Sequence, residues 1–274
     1  MIEILNTIIC YNNADEVVEY VKKVEKLISS DKVAVSVVIN KLENGSKKVL
    51  EQKLSAINVK TCIADPQKNL GYMNGMIFGY EHFLKKHGSA KLKYVVMSNT
   101  DINYPNNSFM TDLLSREYSE AIWCIGPAVY APGRNNYDNP ICDTRRSEKE
   151  VRSIIKRFRI PVFNELYFHL SNVKGKLMKQ PRGESHRVYE VHGCYFVVKK
   201  ELADQMINRP FGALLYSEEA YVAEMVWHNK KSSYYDANLL VEHIEHTVTG
   251  KIDYKKISKY IADSMEVVLR EFYE

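Results

Sequence analysis

Short apolar runs alternate with longer helix-like segments through the first half of this 274-residue chain, and this alternation limits the fold more than any other feature. The pattern predicts strands at residues 2–10, 32–39, 59–64, 93–97 and 122–127, with helices at 15–29, 46–57 and 71–86. Short strands between helices of about ten residues or more are typical of parallel sheets covered on both faces. We therefore predict an α/β fold built on a mainly parallel, doubly wound sheet.

The alternation stops after Pro132, where turn signals and basic residues take over. Beyond that point the pattern predicts strands at 188–198 and 239–241, and helices at 149–158, 201–208, 218–229 and 255–272. The last helix is amphipathic. Core packing is its expected role, and contact with a membrane surface or a partner protein is the alternative.

Composition narrows the class of protein. Hydrophobic residues make up 45% of the chain and charged residues 26%, which is ordinary for a folded domain and argues against disorder. No apolar run approaches the roughly 20 residues of a membrane-spanning helix, and no secretory leader pattern is found, so we expect a cytoplasmic protein. The five cysteines include no Cys-x-x-Cys pair, which indicates reduced and mostly buried thiols.

Positive charge is concentrated in one segment. Residues 143–182 contain eleven Lys and Arg against four acids, which leaves the rest of the chain slightly acidic at a total formal charge of +4. A solvated basic face is the ordinary interpretation, and a surface for phosphate or anionic headgroups is the alternative. No nucleic-acid recognition motif accompanies the excess, so nucleic acid is not an expected partner.

Polar residues follow the predicted strands, at the edge where parallel sheets bind their ligands. They are Tyr11-Asn12-Asn13, Asn40, residues 65–69 and Asn99-Thr100-Asp101. An acid such as Asp101 at a strand end is a common cap, but it can also hold a hard divalent cation that bridges phosphates. These junctions make the first half a candidate nucleotide-binding unit.

Two further features suggest chemistry in the second half. Glu218-Glu219 begins a predicted helix, where acids suit the positive dipole end. Two adjacent carboxylates can also raise one pKa and keep a general base near working pH. His243 ends an apolar run and lacks the His-Glu-x-x-His order of a zinc protease, so a dedicated zinc site is not expected. As a histidine that arrives from a separate segment, it could still complete a cation site.

Six short motifs follow one another between residue 2 and about residue 250. They are Ile8-Ile9-Cys10-Tyr11-Asn12-Asn13, Asn69-Leu70-Gly71-Tyr72-Met73-Asn74-Gly75, Asn99-Thr100-Asp101, His192-Gly193-Cys194-Tyr195-Phe196-Val197-Val198, Tyr216-Ser217-Glu218-Glu219 and Val241-Glu242-His243. Their order and spacing resemble the catalytic domain of glycosyltransferase family 2, an inverting GT-A fold, and most closely its rhamnosyltransferase-like branch.

The resemblance implies a role for each matched position. Asp101 would hold Mg2+ or Mn2+ on the donor diphosphate, with His243 as a further metal or phosphate contact. Glu219 would be the base that deprotonates the acceptor hydroxyl, with Glu218 as the alternative. The implied donor-binding residues are Tyr11, Asn12, Asn40, Asp65, Asn69, Gly71, Asn74 and Asn99. The implied acceptor residues are His192, Arg145 and Arg146.

Three positions depart from the family pattern. Asn40 stands where an Asp usually reads the nucleobase, Thr100 replaces a Pro, and Glu219 replaces the more common Asp. The resemblance implies a single Rossmann-like domain with a nucleotide-binding half at 1–130, an acceptor-binding half at 131–250 and a C-terminal helix at 251–274.

The implied activity is transfer of a hexosyl or deoxyhexosyl unit from a UDP-, dTDP- or GDP-linked donor to a surface-polysaccharide or lipid-linked glycan. Contact with the inner face of the membrane and a homodimer are left open. Two other functions also stay open. A sugar-phosphate nucleotidyltransferase lacks support because no Gly-rich, Arg-containing loop lies near the N-terminus, whereas Asn40 and Thr100 permit a binding module without catalytic activity.

Overall fold

The computed structural model describes residues 1–43, 45–89, 91–160, 179–244 and 253–274. Strands and helices alternate in the first half as the sequence predicts. The elements up to residue 115 are β1 (Ile4–Tyr11), α1 (Ala14–Glu25), β2 (Val33–Lys41), α2 (Ser46–Ser55), β3 (Lys60–Ala64), α3 (Tyr72–His87), β4 (Tyr94–Ser98), β5 (Ile102–Asn103) and α4 (Phe109–Ser115).

The remaining elements follow residue 115 and include the part of the chain after Pro132, where the regular alternation stops. They are β6 (Ile122–Ala131), β7 (Asn136–Tyr137), α5 (Glu148–Arg159), β8 (His186–Val188), β9 (Tyr195–Lys199), α6 (Lys200–Ile207), α7 (Glu218–His228), β10 (Ser232–His243) and α8 (Tyr254–Phe272). Part of the basic segment predicted at 143–182 lies outside the described residues.

All the described strands join one sheet, whose main path runs β3-β2-β1-β4-β9-β6-β10-β5. The first four strands are parallel, β9 runs antiparallel between β4 and β6, and β10 is parallel to β6. Because β9 is reversed, its amino end reaches the same sheet edge as the carboxyl ends of β4 and β10. That edge brings together the segments around residues 101, 193 and 243.

Helices cover both faces of the sheet, so successive strand residues enter two separate cores. In β1, Ile8 packs in the cluster that contains Val21 of α1, whereas Leu5 packs in the cluster that contains Tyr80 of α3 and Phe272 of α8. This arrangement confirms the predicted α/β fold with a mostly parallel sheet. It also shows that α8 packs on the core. No helix within the described ranges has the length and apolar character needed to span a bilayer.

The sequence prediction is wrong at two strands. The strand predicted at 188–198 is two strands, because residues 189–194 leave the sheet between β8 and β9. The strand predicted at 239–241 is only the end of β10, whose first half contains polar residues. One of these, Asp236, is buried and accepts a hydrogen bond from the Tyr118 hydroxyl at 2.7 Å. The first half of β10 therefore lacks the apolar pattern that predicts a strand, because its buried polar residues are stabilised by tertiary contacts.

Candidate active site at the strand ends

Asp101 and His243 meet at the ligand edge of the sheet. Antiparallel pairing of β5 with β10 sets His243 opposite Ile102, and the Ile244 N–H donates to the Asp101 carbonyl at 3.0 Å. The side chains follow the backbone, with His243 Nε2 3.4 Å from Asp101 Oδ1. The Asp101 side chain is 10% exposed and that of His243 13%, so a small ligand can still reach the pair.

This pair suits a divalent cation that brings other ligands with it. Asp101 Oδ1 is buried and accepts no hydrogen bond from any described residue. No group of three or more His, Cys, Asp or Glu side chains within the described ranges is arranged to hold a metal ion. A carboxylate with one imidazole therefore fits Mg2+ or Mn2+, because these ions commonly keep water and phosphate oxygens as their remaining ligands.

His192 lies beside His243, one of the two candidate cation ligands. Its ring centroid is 6.0 Å from that of His243. The backbone N–H of His192 donates to the fully buried amide of Asn139 at 3.0 Å, and its Nδ1 accepts from the Cys194 N–H at 3.1 Å. A neutral His192 therefore carries its proton on Nε2, where it can donate to a ligand.

Glu219 reaches the same place from the start of α7. A Cβ added at Gly193 would lie only 3.0 Å from Glu219 Oε2, so the carboxylate lies directly against this glycine. The Tyr72 hydroxyl, from the first residue of α3, donates to the Gly193 carbonyl at 3.0 Å. The Asn99 N–H donates to the Cys194 carbonyl at 2.8 Å and ties the loop to β4. The 192–194 loop thus lies against the Glu219 carboxylate at Gly193 and beside His243, one of the two candidate cation ligands, at His192.

Burial changes the acidity of both glutamates. Burial, with the charge of Glu190 next, raises the pKa of Glu219 to about 7. Burial, with the charge of Glu219 next, raises the pKa of Glu218 to about 8. The backbone N–H groups of Glu218 itself and of Tyr216 oppose the second shift, which places the Glu218 carboxylate against its own helix start. Glu218 is 5% exposed, whereas Glu219 is only half-buried.

Three of the predicted donor-binding residues, Asn40, Asn69 and Gly71, contact backbone groups in or beside the loop before α3. Asn40 donates to the Gly71 carbonyl at 2.7 Å and accepts from the Leu70 N–H at 3.2 Å, while Asn69 accepts from the Gly71 N–H at 2.9 Å. Gly71 has φ +79°, and a Cβ there would lie 2.1 Å from the Leu214 carbonyl oxygen. Their observed contacts hold the loop before α3, and their donor-binding role stays a prediction.

Asn74 fixes the loop that leads to the glutamates. Its amide nitrogen donates to the Phe211 carbonyl and its amide oxygen accepts from the Phe211 N–H, each at 2.8 Å. The Tyr72 N–H adds a 3.1 Å bond to the Leu214 carbonyl. The first turn of α3 therefore positions residues 211–214, and with them the start of α7.

Other predicted donor residues lie at the same edge, nearer to β3. Asn12 adopts φ +57° beside Tyr11, whose ring has the Lys41 ammonium 5.6 Å from its centroid. Asp65 forms a 2.7 Å ion pair with Lys47. Sequence reasoning missed Glu16, whose carboxylate accepts from Thr100 and Asn13 and so braces the segment before Asp101. Glu16 lies at the start of a helix and contacts the end of a strand that is distant in the sequence. Nothing in the residues next to Glu16 therefore indicates this role.

Arg145 and Arg146 have contacts that the sequence did not predict. The Arg145 guanidinium lies 3.0 Å from the carboxylate of Glu224, which is fully buried, and Arg146 pairs with Glu190, which is also buried. Their predicted role in acceptor binding stays a prediction, whereas the observed role is to neutralise acids in the interior. The Arg146–Glu190 pair acts electrostatically on Glu219.

Solved structures share this fold. A mannosyltransferase from Pyrobaculum calidifontis, PcManGT in complex with GDP-Man and Mn2+, matches 90% of this chain and 58% of its own at TM-score 0.55 and 10% identity. GalNAc-T7 with UDP, GalNAc and Mn2+ matches 98% of this chain and 48% of its own at TM-score 0.63 and 12% identity. The chain thus spans about half the length of these proteins. No protein-family model and no curated protein sequence matches it. The chain has the GT-A fold of these glycosyltransferases.

Proposed function

We propose that this protein is an inverting glycosyltransferase that moves a sugar from a nucleotide-sugar donor to an acceptor hydroxyl and requires Mg2+ or Mn2+. The supporting observation is that Asp101, His243 and Glu219 converge through the 192–194 loop on one edge of a GT-A sheet. Both solved relatives contain Mn2+ together with a nucleotide or nucleotide sugar.

Asp101 and His243 form the donor end of the proposed site. They would hold the cation, whose positive charge stabilises the departing nucleoside diphosphate when it is bound. His192 would donate from Nε2 to an oxygen of the same group, because its Nδ1 is already an acceptor for Cys194. Asp101 keeps one oxygen free of hydrogen bonds from the described residues, which leaves that oxygen available as a ligand.

Glu219 is the base at the acceptor end. A pKa of about 7 leaves a substantial fraction ionised near neutral pH while keeping the carboxylate basic enough to accept a hydroxyl proton. The acceptor oxygen forms a bond to the anomeric carbon as the bond from that carbon to the diphosphate oxygen breaks on the opposite face. The proton goes to Glu219, and the electron pair leaves with the diphosphate.

Glu218 is the less suitable of the two acids. It is nearly inaccessible, and its carboxylate meets two backbone N–H groups at its own helix start, those of Tyr216 and Glu218, whereas the Glu219 carboxylate meets that of Glu219. Glu219 instead lies against Gly193 in the loop that reaches the cation pair. We therefore assign Glu219 as the base and Glu218 as a buried neighbour whose charge state affects it.

The decisive experiment compares Glu219→Gln with Glu218→Gln as the matched control. Release of nucleoside diphosphate from UDP-, GDP- and dTDP-sugars is measured with Mn2+, and nucleotide binding is measured by thermal shift. We expect Glu219→Gln to lower turnover by about 100-fold or more with binding retained, since positioned bases contribute about that factor. Near-normal turnover in Glu219→Gln would show that another group takes the proton.

The cation is tested separately with Asp101→Asn. We expect the nucleotide-dependent thermal shift of the wild type to require Mn2+ or Mg2+, to disappear with EDTA, and to be weaker in the variant. Nucleotide binding that is indifferent to EDTA would contradict a metal-dependent donor site. The same screen reports which of the three nucleotides is preferred.

The six motifs support finer proposals. We assign the protein to family 2, rhamnosyltransferase-like branch, acting on a surface-polysaccharide or lipid-linked glycan at the cytoplasmic side of a membrane. A homodimer and a peripheral membrane contact belong to the same proposal.

A further inference from the structure

Two tyrosines stack beside the proposed base. Tyr216 lies three residues before Glu219, and its ring centroid is 6.4 Å from that of Tyr260 on α8, with the ring planes 23° apart. Both residues are half-buried. Neither phenol hydroxyl forms a hydrogen bond with a described residue, whereas those of the buried Tyr20 and the half-buried Tyr72 and Tyr118 all do.

The backbone that presents Tyr216 is strained. Tyr216 has φ +68° and Ser217 has φ +58°, two consecutive residues other than glycine in the left-handed region. Such a conformation costs on the order of 1 kcal/mol or more per residue and persists only where the surroundings enforce it. Strain of this kind is found most often at functional sites.

Helix α8 supplies part of that enforcement. The Ser264 hydroxyl donates to the Leu215 carbonyl at 2.7 Å, and a Cβ added at Gly212 would lie 3.3 Å from the Val267 side chain. Tyr260 lies one helical turn before Ser264 and therefore on the same face of α8. The helix thus holds the strained loop and supplies the second ring.

The chemistry of this stack favours a sugar ring. The C–H face of a pyranose packs on aromatic rings, and phenol hydroxyls can bond sugar hydroxyls. The Glu218 carboxyl group lies close enough for its charge to add to the burial that raises the pKa of Tyr216, and a carboxylate there disfavours an anionic ligand. We propose that Tyr216 and Tyr260 form an acceptor subsite, on which a pyranose ring stacks with one hydroxyl directed to Glu219.

This inference rests on the proposed function, and its test separates the two. The probes are the methyl glycosides of glucose, galactose, mannose and N-acetylglucosamine, with dissociation constants measured by NMR titration. Nucleotide binding with Mn2+ is measured in parallel by thermal shift. Tyr260→Leu removes the ring but keeps an apolar side chain on a regular helix, and Tyr260→Phe keeps the ring. Tyr254→Leu, at the exposed start of the same helix, is the control.

We expect at least one glycoside to bind the wild type and Tyr260→Leu to weaken it about fivefold or more, as loss of an aromatic contact implies. Tyr260→Phe and Tyr254→Leu should change it less than about twofold, with nucleotide binding unchanged in all variants. A Tyr260→Leu protein that binds like the wild type, or a wild type that binds none of the four glycosides, overturns the subsite. Absence of nucleotide binding in the wild type instead contradicts the glycosyltransferase proposal, and sugar binding that still depends on Tyr260 would then support the subsite alone.

Discussion

The acidity of Glu219 depends on a neighbour that no substrate needs to touch. Glu190 is buried, pairs with Arg146, and its negative charge adds to burial in raising the pKa of Glu219 to about 7. Arg146 acts in the opposite direction. The pKa of Glu219, the proposed base, therefore depends on the balance of charge in this buried ion pair as well as on burial.

We predict that Glu190→Gln shifts the pH profile of turnover to lower pH. If Glu219 is the base, it must be ionised to act, so activity of the wild type should rise with pH through about 7. Removing the negative charge of Glu190 eliminates an interaction that raises the pKa of Glu219. The positive charge of Arg146, which lowers that pKa, is then no longer balanced. The acidic limb of turnover against pH is measured for the wild type, for Glu190→Gln and for the exposed control Glu201→Gln. A limb that moves upward, or moves equally in the control, would contradict this electrostatic role.

At the scale of elements, the sequence was most informative where structure is local. The β1-to-β4 half follows from apolar periodicity, and its helix and strand positions agree with the structure within a few residues. The end of β8 and the start of β10 could not be predicted, because buried polar residues such as Asp236 are satisfied by distant partners. Asp101 and His243 could be picked out as strand-end residues, whereas Tyr72 could not, because its contact with Gly193 spans 121 positions.

The start of α3 illustrates why motif residues need structural interpretation. Asn74 belongs to a motif that implied donor binding, but both ends of its amide contact the Phe211 backbone. Because Phe211 lies in the loop before α7, this contact links two elements that are far apart in sequence. Its effect on chemistry would be indirect, through the position of Glu219.

We predict that Asn74→Ala destabilises the protein by about 1–3 kcal/mol, since it leaves buried backbone groups at Phe211 without partners. Turnover should fall while nucleotide binding is retained, because the loop before Glu219 loses its anchor. Urea unfolding and turnover are measured together, with the exposed Asn58→Ala as control. Full turnover in a destabilised Asn74→Ala protein would limit this residue to a role in folding.

At the scale of the whole molecule, the excess of positive charge counted in residues 143–182 does not produce an equally basic surface in the described part of that segment. The basic segment gains its partners from elsewhere: Arg152 pairs with Glu274, and Arg159 pairs with Asp263 and Glu266 of α8. With Arg145 and Arg146 directed at interior acids, much of the local excess in the described part of the segment is neutralised. A linear count of charges could not show this, because the neutralising acids lie up to about 120 residues away.

The last turn of the chain completes a buried network around Glu224. Arg145 pairs with Glu224, lies 4.3 Å from the Tyr273 ring centroid, and donates to the Phe272 carbonyl at 3.5 Å. Tyr189 donates to the same carboxylate at 2.6 Å. Since Glu224 lies on α7, the network connects the C-terminus to the helix that carries Glu219, the proposed base.

We predict that Arg145→Met destabilises the protein by about 3 kcal/mol or more, because it leaves the buried Glu224 carboxylate without its cation. The double variant Arg145→Met/Glu224→Met should recover much of that loss, since no buried charge is then left unpaired. Arg152→Met is the control; its ion pairs are about half exposed, and we expect a cost below about 1 kcal/mol. Free energies of unfolding in urea form the double-mutant cycle. If Arg145→Met lowers the free energy of unfolding no more than Arg152→Met does, the Arg145–Glu224 pair does not stabilise this network. Arg145 would then be available for the acceptor role predicted from the sequence.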